Sequence, residues 1–153
     1  MLLTKDNYLA IQKATIDYLA IQGITKLVVI DPAFKNSHQL AENVPANAKV
    51  LLLDSNQDCI VQITKALAAG NYYSLHLISD GSTGCLHLGS TNLSSENIAQ
   101  YKPQLMEWGI AEIFIYGCHV TKSSNVLKQL HSLVGASIVI VEQEIGQDNW
   151  TLK

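Results

Sequence analysis

The chain has no arginine. All ten of its basic residues are lysines, scattered along 153 positions, and thirteen Asp and Glu leave a net charge of −3. Bidentate grip on phosphate or carboxylate leans on the guanidinium fork, and a nucleic-acid footprint needs a clustered basic patch. No nucleic-acid partner is therefore expected, and an Asp-specific peptidase pocket lined by arginines cannot exist here. Cysteine is scarce as well. Cys59, Cys85 and Cys118 cannot all pair within one chain, so no disulfide framework is expected and a reducing compartment fits best. No apolar run approaches the roughly 20 residues of a bilayer-spanning helix, so no membrane span is expected. The opening Met1-Leu2-Leu3-Thr4-Lys5-Asp6 carries an acid and lacks the apolar core and small-residue cleavage site of a secretory signal peptide. The expected location is the cytoplasm, with secretion by a non-cleaved route left open.

What is present is enough for one domain with a real core. Residues 6–22 have helical periodicity and end at Gly23; Tyr8, Leu9, Ile11, Thr15, Ile16, Tyr18 and Leu19 cover an arc of roughly 180°, wider than the stripe of an ordinary surface helix. This helix, residues 1–23, is expected either to pack deeply in its own domain or to offer a surface to a protein partner or a second copy. The remainder, residues 24–153, alternates short apolar strands with helices. Strands are expected at 26–31, 48–54, 73–79, 112–116 and 136–141, and helices near 37–43, 57–69, 94–108 and 123–133. A short period-two stretch at 84–89 suggests a hairpin or edge strand. Pro103 is expected to kink the 94–108 helix or to mark a restart. Short buried strands alternating with helices predict an α/β three-layer sandwich, a doubly wound and mainly parallel sheet.

In such sheets ligands collect where strand carboxyl ends meet helix amino ends. That directs attention to Asp31, Asp54, Ser79, Asp80, Cys118 and His119. Asp31 and Asp54 read as helix N-caps or loop acids. Gly81-Ser82-Thr83-Gly84 is followed by an apolar strand rather than a helix, so it predicts no phosphate cradle and no cofactor. Cys118 follows Tyr116-Gly117 at a strand end and precedes a helix, where helix-terminus amides favour a thiolate; a buried inert thiol is the other reading.

A larger pattern runs through the chain: Val28-Val29-Ile30-Asp31, Leu51-Leu52-Leu53-Asp54, Ile63-Thr64-Lys65-Ala66-Leu67, and Leu86-His87-Leu88-Gly89-Ser90-Thr91-Asn92-Leu93. Tyr101-Lys102-Pro103-Gln104-Leu105-Met106-Glu107-Trp108 and Ile115-Tyr116-Gly117-Cys118 continue it. Together these resemble the domain of unknown function 4347 family, found near the start of large, repeat-rich, often cyanobacterial surface proteins. The resemblance spans roughly residues 26–150. It implies a caspase-like or gingipain-like cysteine peptidase core, in which a strand ending in His-Gly and a strand ending in Gly-Cys bring base and nucleophile together. The family usually carries Ser-His-Gly where this chain has Ser79-Asp80-Gly81, and Tyr-Gly-Cys where it has Tyr116-Gly117-Cys118.

The replacement of His by Asp80 changes the chemistry. A neighbouring imidazolium stabilises the attacking thiolate and later protonates the leaving amine. A carboxylate instead places a like charge beside the thiolate and offers no proton near neutral pH. Losing an acid/base partner costs about 10²–10⁴ in rate. A replacement base would have to be His87 or His119, since His76 lies about 13 Å back along its strand. Cys85-Leu86-His87 and Cys118-His119 also raise a zinc site, but neither pair has zinc-ligand spacing, and no metal is expected.

The expectation is a caspase-like domain without hydrolytic activity, a pseudopeptidase acting as a binding or assembly module, with Cys118, Asp80 and Gly81 as its vestigial cleft. The alternative is a cysteine hydrolase with Cys118 as nucleophile, His87 or His119 as base, and an oxyanion pocket from the Gly81 and Cys118 amides.

Overall fold

A computed structural model describes residue 14, residues 23–79, the backbone of 81–82, and residues 85–116, 124–141 and 152. The elements run β1 (Lys26–Ile30), α1 (Ser37–Glu42), β2 (Ala48–Leu52), α2 (Cys59–Ala68), β3 (Ser74–Ile78), β4 (Gly81–Ser82), β5 (Cys85–Leu88) and β6 (Thr91–Ser94). A 3-10 turn (Ile98–Tyr101), α3 (Lys102–Leu105), β7 (Glu112–Tyr116), α4 (Asn125–Val134) and β8 (Ser137–Val141) follow. The expected helix over residues 1–23 lies outside the described residues.

Five strands form one parallel sheet in the order β2-β1-β3-β7-β8. Its central strands read as continuous apolar runs because both faces are covered. On one face Leu27, Val29, Leu75, Leu77, Ile113 and Ile115 pack against Ile60, Ile63 and Leu67 of α2 and Val126, Leu127 and Leu130 of α4. On the other, Val28, Ile30, Ile78 and Tyr116 meet Leu40 of α1. The expected α/β architecture with a mostly parallel sheet is borne out. Every apolar side chain on β1 is almost wholly removed from water, at about 1.5–3 kcal/mol of stabilisation for each large aliphatic residue.

The second sheet is small and antiparallel, with order β4-β5-β6. The hairpin between β5 and β6 turns at Gly89-Ser90, where Gly89 takes φ 63°, as the first residue of a tight two-residue hairpin turn requires. Its inner residues Leu86, Leu88 and Leu93 are buried. Two bonds clip it to α2: Cys59 N donates to Thr91 Oγ1 at 3.3 Å, and Cys59 Sγ donates to Leu88 O. The same end of α2 is capped by Asp58, whose carboxylate accepts from Val61 N at 3.1 Å and from the Tyr101 hydroxyl at 2.7 Å.

The continuous helix expected over 94–108 does not form. Thr91–Ser94 is a strand, and Asn97 Oδ1 accepts from Ser94 N at 2.8 Å to turn the chain. A 3-10 segment then passes into the short α3, with Pro103 in its first turn. Proline has no N–H to return to the carbonyl four residues back, so one α-helix cannot run through this point, while the first helical turn accepts it. The restart is what the chain uses.

Candidate functional site

The sheet brings the ends of β1, β3 and β7 to one rim. Ile30 pairs with Ile78, and Ile78 with Tyr116. The strand order reverses between β1 and β3, because the chain goes from β1 to β2 on one side and then returns to place β3 on the other. Such a switch point opens a crevice at the carboxyl ends of the strands. The strands at 73–79 and 112–116, whose ends carry Ser79-Asp80-Gly81 and Gly117-Cys118, are therefore neighbours, as β3 and β7. Asp80, Cys118 and His119, which follow those ends, lie outside the described residues. Of the expected site, Gly81 is described through its backbone, which pairs with Leu86 in β4 and β5.

Two polar residues at this rim are described in full. Asp31 is 3% exposed and Ser79 is 0% exposed. Asp31 N donates to Ile78 O at 2.9 Å, so the ladder continues one residue past β1. Asp31 Oδ1 accepts from Ala33 N at 3.0 Å, an Asx turn over Pro32. Asp54 does the same for Asn56 N at 2.9 Å. Both are loop acids, as one of their two expected roles had it; neither caps a helix, since α1 begins after Asn36 and α2 after Asp58. Among the described residues Ser79 Oγ, which is buried, has no hydrogen-bond partner.

The histidines separate by environment. His76 is 0% exposed in the centre of β3. Its Nδ1 lies 2.9 Å from Tyr116 Oη, its Nε2 lies 2.9 Å from Ser74 Oγ, and its ring stacks on Phe114. Burial first, and Lys26 second, lower its pKa to about 4. It is a neutral core residue held away from the rim.

His87 is the opposite case. It sits on β5 one residue beyond the Gly81–Leu86 pair, at the base of the hairpin that rises from β3. Its Nδ1 is bonded to Asn92 Oδ1. A carboxamide oxygen only accepts, so Nδ1 carries the hydrogen and Nε2 is the basic nitrogen. Cys85 shares this face of the strand, and burial together with Glu96 pushes its thiol up, away from thiolate. Among the described residues no three His, Cys, Asp or Glu side chains converge as a metal site would require. No described helix is long and apolar enough to cross a membrane.

Sequence reading passed over two features here. Ser74 and His76 alternate on β3 and so share a face with one another, and Tyr116 follows on the paired strand; that period-two signal was available. The unsatisfied state of Ser79 was not, because hydrogen-bond satisfaction depends on neighbours distant in the chain.

Fold and rim together define an α/β domain with a mostly parallel sheet whose strand order switches between β1 and β3. Residues 27–153 match the family described as domain of unknown function (DUF4347), and the chain belongs to that family. No curated protein and no solved structure matches it.

Proposed function

We propose that this is a caspase-like domain that has lost hydrolytic activity and serves as a binding or assembly module through its former substrate cleft, its N-terminal helix, or both. The observation that carries the reading is the withdrawal of His76. The histidine that β3 does possess is sealed in the core, bonded to Ser74 and Tyr116, and cannot replace the base that Asp80 displaces. Asp80 itself would repel a thiolate on Cys118 and has no proton to give near neutral pH. The lack of arginine removes one familiar way of gripping an acidic substrate. A protein partner or a second copy of the chain is the expected ligand.

A second reading keeps Cys118 as the nucleophile of a cysteine hydrolase with His87 as base. It draws on one feature: Asn92 fixes the His87 tautomer with Nε2 basic, the arrangement by which a carboxamide orients a catalytic imidazole. Reaction with an acyl-type covalent probe at neutral pH separates the two. The non-catalytic domain leaves Cys118 without stoichiometric labelling; rapid labelling that both Cys118→Ala and His87→Ala abolish establishes the hydrolase instead. Peptidase activity appearing in Asp80→His would show that only the base had been lost. Light scattering tests assembly, and a strictly monomeric chain with no co-purifying partner removes that part of the proposal.

A further inference from the structure

We propose that α4 is a docking ridge for an acidic, amphipathic segment of a partner polypeptide. The segment's apolar side chains enter grooves on the two flanks of the helix, and its carboxylates pair with Lys102 and Lys128. This surface is neither the former cleft nor the expected N-terminal helix, and it stands whether or not Cys118 is reactive.

Helical periodicity builds the ridge. At about 100° per residue, Lys128 and Ser132 share one line along α4, with Gln129 and Leu133 to one side and Leu127 and His131 to the other. Lys128 and Ser132 are exposed and form the crest. On one flank a groove of about 310 Å³ is lined by Gln129 and Leu133, by Ile98 and Ala99 of the 3-10 turn, and by Lys102 of α3. On the other a groove of about 380 Å³ is lined by Leu127 and His131 and by Ser137 and Ile138 at the start of β8. Lys128 lines both.

Charge is segregated here. The chain carries thirteen Asp and Glu and a net charge of −3. Yet residues 97–106 and 124–141, which supply the walls of both grooves, contain no Asp or Glu. Lys102 and Lys128 are exposed and come from different elements. Among the described residues no carboxylate pairs with either of them. A surface that keeps its cations and excludes acids steers a negative partner toward itself, on a molecule whose overall charge repels one.

The shape of the surface selects the rest of the ligand. Ile98 and Leu127 are buried along the grooves, and Leu133 and Ile138 are half-buried, so each flank keeps apolar surface to cover. The large hydrophobic side chains that stand exposed, Val61, Tyr73 and Met106, line neither groove. Apolar surface recessed on both sides of a crest takes inserted side chains and gives a flat lipid surface no purchase. Two lysines are too few for a nucleic-acid backbone. A single small anion would fill one groove and leave the other empty. A polypeptide reaches both: in a polyproline II-type chain, residues three apart share a face about 9 Å apart, close to the ~10 Å width of a helix with its side chains. Two apolar residues separated by two acids therefore span the crest and bring their carboxylates to the lysines.

The experiment titrates the ¹⁵N-labelled full chain with acetyl-Leu-Glu-Glu-Leu-amide. Its controls are the neutral acetyl-Leu-Gln-Gln-Leu-amide and acetyl-Gly-Glu-Glu-Gly-amide, which has the charge without the anchors. Expected with the first peptide are saturable amide shifts on both flanks, at Ala99, Lys102, Lys128, Gln129, Leu133 and Ile138. Each control peptide, and the Lys102→Gln/Lys128→Gln variant, should show binding at least about fivefold weaker. Both lysines are exposed, so the fold survives their replacement. Lys49→Gln/Lys65→Gln removes the same charge from β2 and α2, outside both grooves, and should leave binding unchanged. Equal binding of either control peptide, undiminished binding to Lys102→Gln/Lys128→Gln, or no saturable shift on α4 overturns the ridge. Shifts of the same amides on dilution of the chain alone would assign the surface to a second copy in place of a partner. Labelling of Cys118 decides the non-catalytic reading separately, and neither result moves the other.

Discussion

His76 Nδ1 and Tyr116 Oη meet at 2.9 Å across the junction of β3 and β7, with both residues fully buried. Phe114 stacks on the same imidazole, ring centroids 4.7 Å apart and planes within 5° of each other. A neutral imidazole has one donor and one acceptor, so Ser74 and Tyr116 take complementary roles on its two nitrogens. Burial first, and the Lys26 charge second, favour the neutral ring over the charged one.

Acid should therefore destabilise the protein before its carboxylates titrate. The unfolded chain has an ordinary His76 pKa near 6.5 and the folded chain one of about 4, so between those values the unfolded state binds more protons. Stability is full above about pH 6.5 and falls as pH drops toward 4, by about 3 kcal/mol over the window. Urea unfolding at pH 7 and pH 4.5 measures it. His76→Phe, which keeps an aromatic ring against Phe114, should remove this part of the slope while orphaning Ser74 Oγ at about 1–3 kcal/mol. An unchanged slope in that variant would reassign the acid sensitivity to other groups.

Asp58 joins two elements, capping α2 through Val61 N and accepting the Tyr101 phenol. Asp58→Ala should cost about 1–3 kcal/mol by losing both bonds. Asp58→Asn keeps an acceptor but no charge. The bond to Asp58 is the first cause of the raised Tyr101 pKa, ahead of burial, so in Asp58→Asn the Tyr101 ionisation should move down. Ultraviolet difference titration of the two proteins reports the direction.

Gly135 closes α4 at φ 80°, and a Cβ there would touch nothing. The cost of Gly135→Ala is then backbone strain alone, about 1–2 kcal/mol. Gly135→Asn should lose less, because Asn tolerates the left-handed region. Denaturation midpoints should shift with unchanged slope; equal losses for Ala and Asn would mean that a contact had been broken instead.

Much of the sheet was legible because its strands are buried on both faces. Glu112–Tyr116 emerges at the expected bounds, an apolar run between Gly109 and Gly117, and β1 begins at Lys26 as expected. The region 94–108 was not legible: Asn97 ties back to Ser94 N, and Pro103 forbids continuity, so a 3-10 turn and the short α3 replace one helix. The rim was legible as a place, through strand ends rich in small and polar residues. The burial of Asp31 and Ser79 at its edge was not, since β1 and β3 become neighbours only when segments far apart in the chain are paired.

That pairing has a kinetic side. Lys26 pairs with Ala48 and with Ser74, Ser74 with Glu112, and Glu112 with Ser137, so no ladder in the main sheet joins near neighbours in the chain. A two-residue hairpin such as β5–β6 can close in about 1–10 μs, whereas long-range parallel pairing must first meet the entropy of closing large loops. The hairpin is thus free to form while the sheet is still incomplete. The rim shared by β1 and β3 exists in no local fragment of this chain, and a nascent polypeptide acquires it only after β3 has been synthesised and docked.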